Sequence, residues 1–256
     1  MSFRVEFCGV PASGKSRLSS GLVTLLNKRG HKVFDRKTAV DIGLRKRNFG
    51  LIGGFVGACI PGWRRDFLGI PHSLNDWHHF TINYPHFVAL IHDWLANSNA
   101  DSIWRSCVFY SLLTSAFEFR VCNSLRYPIV FDEGFVQRFY TLKGYCGLGR
   151  VEDVARYVSV MPLPNILVSV GTDPEICLIR LKRRAELPLL LQHEPETLLI
   201  SRIKEGTELI AELSVELERQ GVIVMRVVGE LDPEPTIEKI ADCIESHISS
   251  NKILMS

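Results

Sequence analysis

The stretch FCGVPASGKSRLS, Phe7 to Ser19, decides how the rest of the chain is read. Gly9 and Gly14 are separated by four residues, and Lys15 and Ser16 follow at once. Backbone N–H groups of such a loop turn inward and cradle phosphate oxygens. Glycine is needed where the chain turns sharply and where a side chain would block the phosphates. A helix starting at the loop aims its positive end at the same anion. In this reading Gly9, Ala12, Ser13, Gly14, Lys15, Ser16 and Arg17 are the nucleotide contacts. Lys15 would reach the terminal phosphates, and the Ser16 hydroxyl would hold Mg2+.

The surroundings of the loop have the required order. Phe3–Cys8 is an apolar strand pattern, and Leu18, Leu22, Leu25 and Leu26 recur at helical spacing. Further strand patterns cover Lys32–Phe34, Pro128–Phe131, Ile166–Val170 and Val222–Val228. Helical patterns cover Lys15–Arg29, Pro85–Ala96, Ser102–Arg126, Glu175–Arg184, Glu196–Gln220 and Thr236–Ser249. Alternating strands and helices predict an α/β fold with a parallel sheet covered on both faces. Ligands of such sheets bind at the carboxyl ends of the strands, where the loop, Asp35, Asp132 and Gly171 all fall.

Composition bounds the alternatives. The chain has 256 residues, 46% hydrophobic and 23% charged, with a formal net charge of +2. A buried core is expected, and the overall charge argues for neither a nucleic-acid polymer nor a membrane as partner. Lys28, Arg29, Lys32, Arg36, Lys37, Arg45, Lys46 and Arg47 do crowd one stretch, which reads as a solvated face or an anion funnel. The seven cysteines lie singly, without a C-x-x-C pair, so a reducing cytoplasm is the expected setting. The apolar run Leu51–Ile60 is too short to span a bilayer. His72, His79 and His86 recur every seventh residue, about 10 Å along a helix, too far apart for one ion.

Two segments carry further chemistry. The strand Ile129–Phe131 runs into Asp132 and Glu133, so a carboxylate can face the terminal phosphate, hold Mg2+ or take a proton. Arg180, Lys182, Arg183 and Arg184 crowd one helix end. Arginines closing over a transferred phosphoryl group neutralise its spreading charge, although a basic helix end also suits the helix dipole.

GVPASGKSRL, IVFDEGFVQRFYTLKGY and VSVGTDPEICLIRLKRRAE together resemble the P-loop kinases of small molecules, within them the thymidylate kinase and deoxynucleoside kinase group. The resemblance covers the first forty or so residues and most of Tyr127–Ser249. It implies a three-layer P-loop kinase fold with a five-stranded parallel sheet in the order 2-3-1-4-5. It also implies ATP and Mg2+, a lid over 172–195, and an adenine site near Gly229–Pro233. The catalytic candidates are Lys15, Asp132, Asp35, Arg180, Arg183 and Arg184, with Ser16 and Asp132 for the metal and Arg36, Glu133 and Arg138 for the acceptor. Where the family has Asp-Arg, this chain has Asp132-Glu133, which removes a substrate-binding arginine that Arg138 would have to replace. Asp35 is the second candidate base.

The expected organisation is one domain over 1–256, with a mostly helical insert over 36–127 that forms the acceptor pocket and offers a homodimer face. The expected reaction moves the γ-phosphate of ATP to a nucleoside or nucleotide. A sugar or sugar-nucleotide is the other acceptor class. An ATPase or GTPase switch and a silent nucleotide-binding protein are the competing classes. Asp66-Phe67-Leu68-Gly69 fits one GTPase formula, but no N-K-x-D follows.

Overall fold

The computed structural model describes residues 2–49, 69–146, 151–184, 195–229 and 232–253. Its centre is β1, Arg4–Cys8, buried along its whole length. Residues of β1 alternate between two apolar layers, as the pleat requires. Val5 and Phe7 join a cluster with Leu18, Leu22, Ile237 and Ile240. Cys8, one step out of phase, joins Phe87, Phe139, Tyr157 and Leu213 on the opposite face.

Five parallel strands order as β2-β3-β1-β4-β5, the order that the kinase resemblance implies. They are β2 Phe34–Asp35, β3 Ile129–Phe131, β4 Ile166–Gly171 and β5 Ile223–Val228 around β1. Val5 of β1 sits between Val130 of β3 and Ile166 of β4. The loop after β1 therefore emerges at the middle of the sheet's carboxyl edge. β2 has two residues, starting two positions and ending one position later than its sequence pattern suggests, because an edge strand pairs only where β3 offers partners.

Helices α1, Lys15–Lys28, and α10, Pro233–Ile253, cover one face. Gly30, with φ 88°, lets the chain turn back after α1, and Gly221, with φ 82°, follows the long helix α9, Glu196–Arg219. The region 36–127 contributes α2 Arg36–Phe49, α3 Gly69–Asn83, α4 Pro85–Asn97 and α5 Ser102–Asn123. Phe80, Phe87 and Trp94 of these helices share a core with Cys8 of β1, so they pack on the sheet itself. Tyr157, fully buried, stacks on Trp94 and donates its hydroxyl to the Phe135 carbonyl at 2.8 Å. Burying each such side chain contributes about 2–3 kcal/mol.

α2, α3, α6 Phe135–Cys146 and α7 Val151–Val160 are helices that the sequence patterns did not single out. α2 is rich in Lys and Arg, and its few apolar residues, Ala39 and Val40 among them, pack on α5 and the β3 edge. α5 stops at Asn123 rather than Arg126, and α10 starts at Pro233, where proline suits a first helical turn. α8, Pro174–Lys182, is capped by Asp173, which accepts from Glu175 N at 2.8 Å and Ile176 N at 3.3 Å. Of the expected segments, 50–68 of the insert, Asp66–Leu68 of the GTPase-like formula, 185–194 of the lid and 230–231 of the adenine loop lie outside the described residues. No described helix is long and apolar enough to cross a membrane.

Candidate active site

The loop between β1 and α1 is held in shape by its own backbone and by three neighbouring elements. Ser13 N–H donates to the Val10 carbonyl at 3.1 Å, while Ala12 and Gly14 adopt positive φ of 65° and 99°. Gln137 of α6, buried, accepts the Gly9 N–H at 3.1 Å. Thr172, at the end of β4, donates its hydroxyl to the Ser13 carbonyl at 2.8 Å. Gly229, after β5, lies so close that a Cβ there would overlap the Ser13 carbonyl oxygen. Gly9 is equally confined, with a Cβ meeting Val170 O at 2.8 Å and Ser13 Oγ at 2.5 Å.

The loop borders a cavity of about 470 Å3, within the range of small-molecule sites. Lys15 and Ser16 open α1, and their N–H groups lie at the helix's positive end. Lys15 is buried and donates to the carbonyls of Gly9 at 2.5 Å and Val10 at 3.1 Å. Burial lowers its pKa; Cys8 and Glu133 pull it up and Arg184 pushes it down. A phosphate anion would relieve that desolvation by supplying a counter-charge. Ala12, Ser13, Gly14, Ser16 and Arg17 line the same cavity. Ser13 Oγ, buried, has no hydrogen-bond partner among the described residues.

The arginines of the expected lid separate into two kinds. Arg180 and Arg184 line the cavity, and Arg183 does not. Arg180 bridges the loop and the segment after β5, donating to the Ala12 and Gly229 carbonyls, each at 3.3 Å. Arg183 and Arg184 are exposed. Gly229 and Pro233, where the kinase resemblance places the adenine, also border the cavity.

The carboxylates are distributed unexpectedly. Glu133 and, four residues later, Gln137 line the same cavity as Arg180 and Arg184, whereas Asp132 does not. Asp132 instead lies 3.6 Å from Arg36 Nε, and Arg36 donates to Glu118 of α5 at 2.9 Å. Asp35 caps α2: its oxygens accept from Thr38 N at 2.9 Å and Thr38 Oγ1 at 2.8 Å. Partial burial raises its pKa, but the hydrogen bonds from Thr38 and neighbouring backbone outweigh this and leave it below the usual carboxylate value. Arg138 does not line the cavity and donates to Ser115 of α5 at 2.9 Å. The structure thus gathers Lys15, Ser16, Glu133, Arg180 and Arg184 around one space, and groups Asp132, Arg36 and Glu118 beside it.

No protein-family model matches the sequence. No curated protein matches it either. Among solved structures, deoxyadenosine kinase from M. mycoides with the products dCMP and a flexible dCDP bound superposes with a TM-score of 0.52 at 15% identity. That match covers 95% of this chain and 100% of the other. Structures of the same enzyme with dCTP and with dATP give TM-scores of 0.48 and 0.49 at 14% and 13% identity, with the same coverage.

The chain has a P-loop deoxynucleoside kinase-like fold.

Within this kinase-like fold, several supporting residues are not apparent as site residues in the sequence. Gln137 and Thr172 brace the loop from elements distant in sequence. Glu6 is the other. It is fully buried in β1, 3.1 Å from Arg4, and its carboxylate accepts the Val136 N–H at 3.1 Å. Burial raises the Glu6 pKa, offset in part by Arg4 and by the N–H groups of Val136 and Phe135. A Cβ at Gly134 would strike the Glu6 carboxylate, so this buried group seats the turn that carries Glu133. The two charged residues inside the otherwise apolar run FRVEFC, Arg4 and Glu6, were the available signal. Among the described residues, no group of three or more His, Cys, Asp or Glu could hold a metal.

Proposed function

We propose that this chain is an ATP- and Mg2+-dependent kinase that moves the γ-phosphate to a hydroxyl of a nucleoside-type small molecule. One observation carries the reading: Lys15, Ser16, Glu133, Arg180 and Arg184 converge on a single cavity at the phosphate loop. The open N–H groups at the start of α1 and Lys15 would bind the β- and γ-phosphates. Arg180 lies toward the adenine end beside Gly229, and Arg184, which lines the cavity, would neutralise charge spreading over the transferred group. The hydroxyl of Ser16 and the carboxylate of Glu133, which line the same cavity, are hard oxygen donors that fit Mg2+. When bound, Mg2+ would offset the charge on the phosphates.

The acceptor would lie toward Asp132, Arg36 and Glu118, on the side of β2, β3 and α5. Two carboxylates around one guanidinium suit hydroxyl groups better than a second phosphate, which favours a nucleoside over a nucleotide. The region 36–127 supplies this side, 172–195 serves as lid, and 1–256 acts as one domain. Ile103 and Tyr110, both exposed on α5, mark the face on which a second copy would pack. Cys8, Cys107 and Cys243 are free thiols, which suits the cytoplasm.

The test is incubation with γ-labelled ATP, Mg2+ and a panel of nucleosides, nucleoside monophosphates and sugars. Label is expected in a nucleoside monophosphate. Release of inorganic phosphate alone, unchanged by any acceptor, would overturn the reading in favour of an ATPase.

A further inference from the structure

A second cavity, of about 360 Å3, lies between the C-terminal ends of α3 and α5 and shares no lining residue with the phosphate cavity. It lies toward the other end of β1. Asn123, one of its lining residues, accepts the Ser2 hydroxyl at 2.9 Å, and the Arg4 guanidinium stands 4.7 Å from the centre of the lining Phe119 ring. Ser2 and Arg4 mark the amino start of β1, whereas the phosphate loop leaves its carboxyl end, about 16 Å further on.

Three rings supply the apolar lining. Phe80 and Phe119 are buried, and Tyr84 is half-buried. The Phe80 and Tyr84 rings are 5.0 Å apart and tilted by 32°, and Phe119 stands edge-on to both, at 90° and 76°. Phe80 and Phe119 also pack on Phe135, with ring centres 5.6 and 5.5 Å away. The rings hold one another in place, so a flat ligand meets a preformed aromatic surface.

The polar groups of the lining are few. Arg120 Nε pairs with the buried Asp76 at 2.6 Å, so the one permanent cation is already compensated within the protein. Asn83 donates its amide to the His79 carbonyl of its own helix at 2.7 Å, which leaves its oxygen as an acceptor. Asn123 spends its oxygen on Ser2, which leaves its NH2 group as a donor. Aromatic faces, one acceptor, one donor and a paired cation suit a flat, uncharged nitrogen heterocycle. They do not suit a phosphate, which needs an uncompensated positive charge.

From these observations we infer that this cavity is a second ligand site, one that takes an uncharged nucleobase or nucleoside. The inference is independent of the kinase reading, since it uses no residue of the phosphate cavity. The base stacks on the aromatic lining, and its edge, where donor and acceptor lie side by side, pairs with the two amides. A volume of 360 Å3 is near the small end of ligand pockets, in keeping with a base and its sugar rather than a nucleoside triphosphate.

The experiment titrates wild type, Asn83→Ala and Asn83→Trp calorimetrically with adenine, adenosine, cytidine, thymidine and AMP. In parallel, NMR of 15N-labelled protein follows the side-chain amides of Asn83 and Asn123. Asn83 is exposed at the end of α3, so both variants should melt within about 2 °C of wild type. At least one uncharged probe is expected to bind saturably and to shift both amides. Asn83→Ala should weaken that binding about 3–10-fold, as for one lost hydrogen bond. Asn83→Trp, whose indole competes for the aromatic surface, should weaken it by at least about tenfold. AMP should bind no more tightly than adenosine, and the ratio of adenine to adenosine affinity reads whether the sugar is held. Absence of saturable binding, or binding that leaves both amides unshifted and survives in Asn83→Trp, overturns the inference. AMP binding more tightly than adenosine overturns the uncharged class. A concentration-dependent dimer of wild type that Asn83→Trp abolishes would give the cavity to a second copy of the chain and overturn the inference as well.

Discussion

Gly229→Ala probes how the phosphate loop is held. The added methyl would overlap the Ser13 carbonyl oxygen and lie 2.5 Å from Thr172 Oγ1 and 3.0 Å from Val170 Cγ1. Ser13 O is backbone, so no flexible side chain can absorb the clash. Either the loop or the segment after β5 must shift, and the buried 2.8 Å hydrogen bond from Thr172 to Ser13 O is strained or lost. Overpacking of this kind costs about 1–3 kcal/mol, and an unpaired buried polar group costs a similar amount. A combined loss of about 3 kcal/mol corresponds to a fall in Tm of roughly 6–12 °C for a chain of this size. A shifted Ser13 also misaligns the loop N–H groups, and one lost hydrogen bond to a charged phosphate weakens ATP binding by about 10–100-fold. Thermal melts and titration with a fluorescent ATP analogue read both effects. Gly30→Ala is the control: it also replaces a positive-φ glycine, at 88°, but nothing lies within 4 Å of the new methyl. It should cost only about 1–2 kcal/mol of backbone strain and leave ATP affinity unchanged. If Gly229→Ala matched wild type in both assays, the packing of the loop against β5 would have no part in nucleotide binding.

Lys15→Ala should lower phosphotransfer by at least about 10²–10³-fold, the effect of deleting one aimed charge-stabilising group. Its circular dichroism should stay native, since removing a buried ammonium also removes its desolvation penalty; near-normal turnover would disprove the role. Arg184→Ala should reduce kcat far more than ATP affinity, because its guanidinium lines the cavity without holding the loop; Arg180→Ala, which breaks contacts to Ala12 and Gly229, should affect both. Asp35→Ala should cost about 1 kcal/mol as a lost helix cap. Because folding lowers the Asp35 pKa, that contribution is complete above the unfolded value of about 3.9 and fades as pH falls through the lower folded value. Denaturant melts of wild type and variant should therefore differ by a constant amount from pH 8 to 5 and converge below about pH 4. A gap that widens on acidification would contradict the assignment.

The phosphate loop was legible because its chemistry is local. Gly9, Gly14, Lys15 and Ser16 act through backbone conformation and a helix start, both dictated within a few residues of one another. The strands were legible because the buried sheet demands continuous apolar runs, and the run before Asp132 was bounded by its carboxylates. The helices α2, α3, α6 and α7 were not singled out. α2 is dominated by charged residues, and its helical state rests on packing against α5 and on the Asp35 cap rather than on an obvious apolar stripe.

The sequence by itself determined that a loop of main-chain amides precedes a helix carrying Lys15, and that arginines follow β4. Both are properties of contiguous residues. Only the tertiary structure decided which carboxylate looks at the loop. Asp132 and Glu133 are neighbours with the same chemistry, and the pinning of Gly134 on Glu6 and the placing of Arg36 beside Asp132 send them to different spaces. Those partners lie far apart in the chain, so side-chain direction at the turn is set by packing across the sheet, which no local pattern encodes.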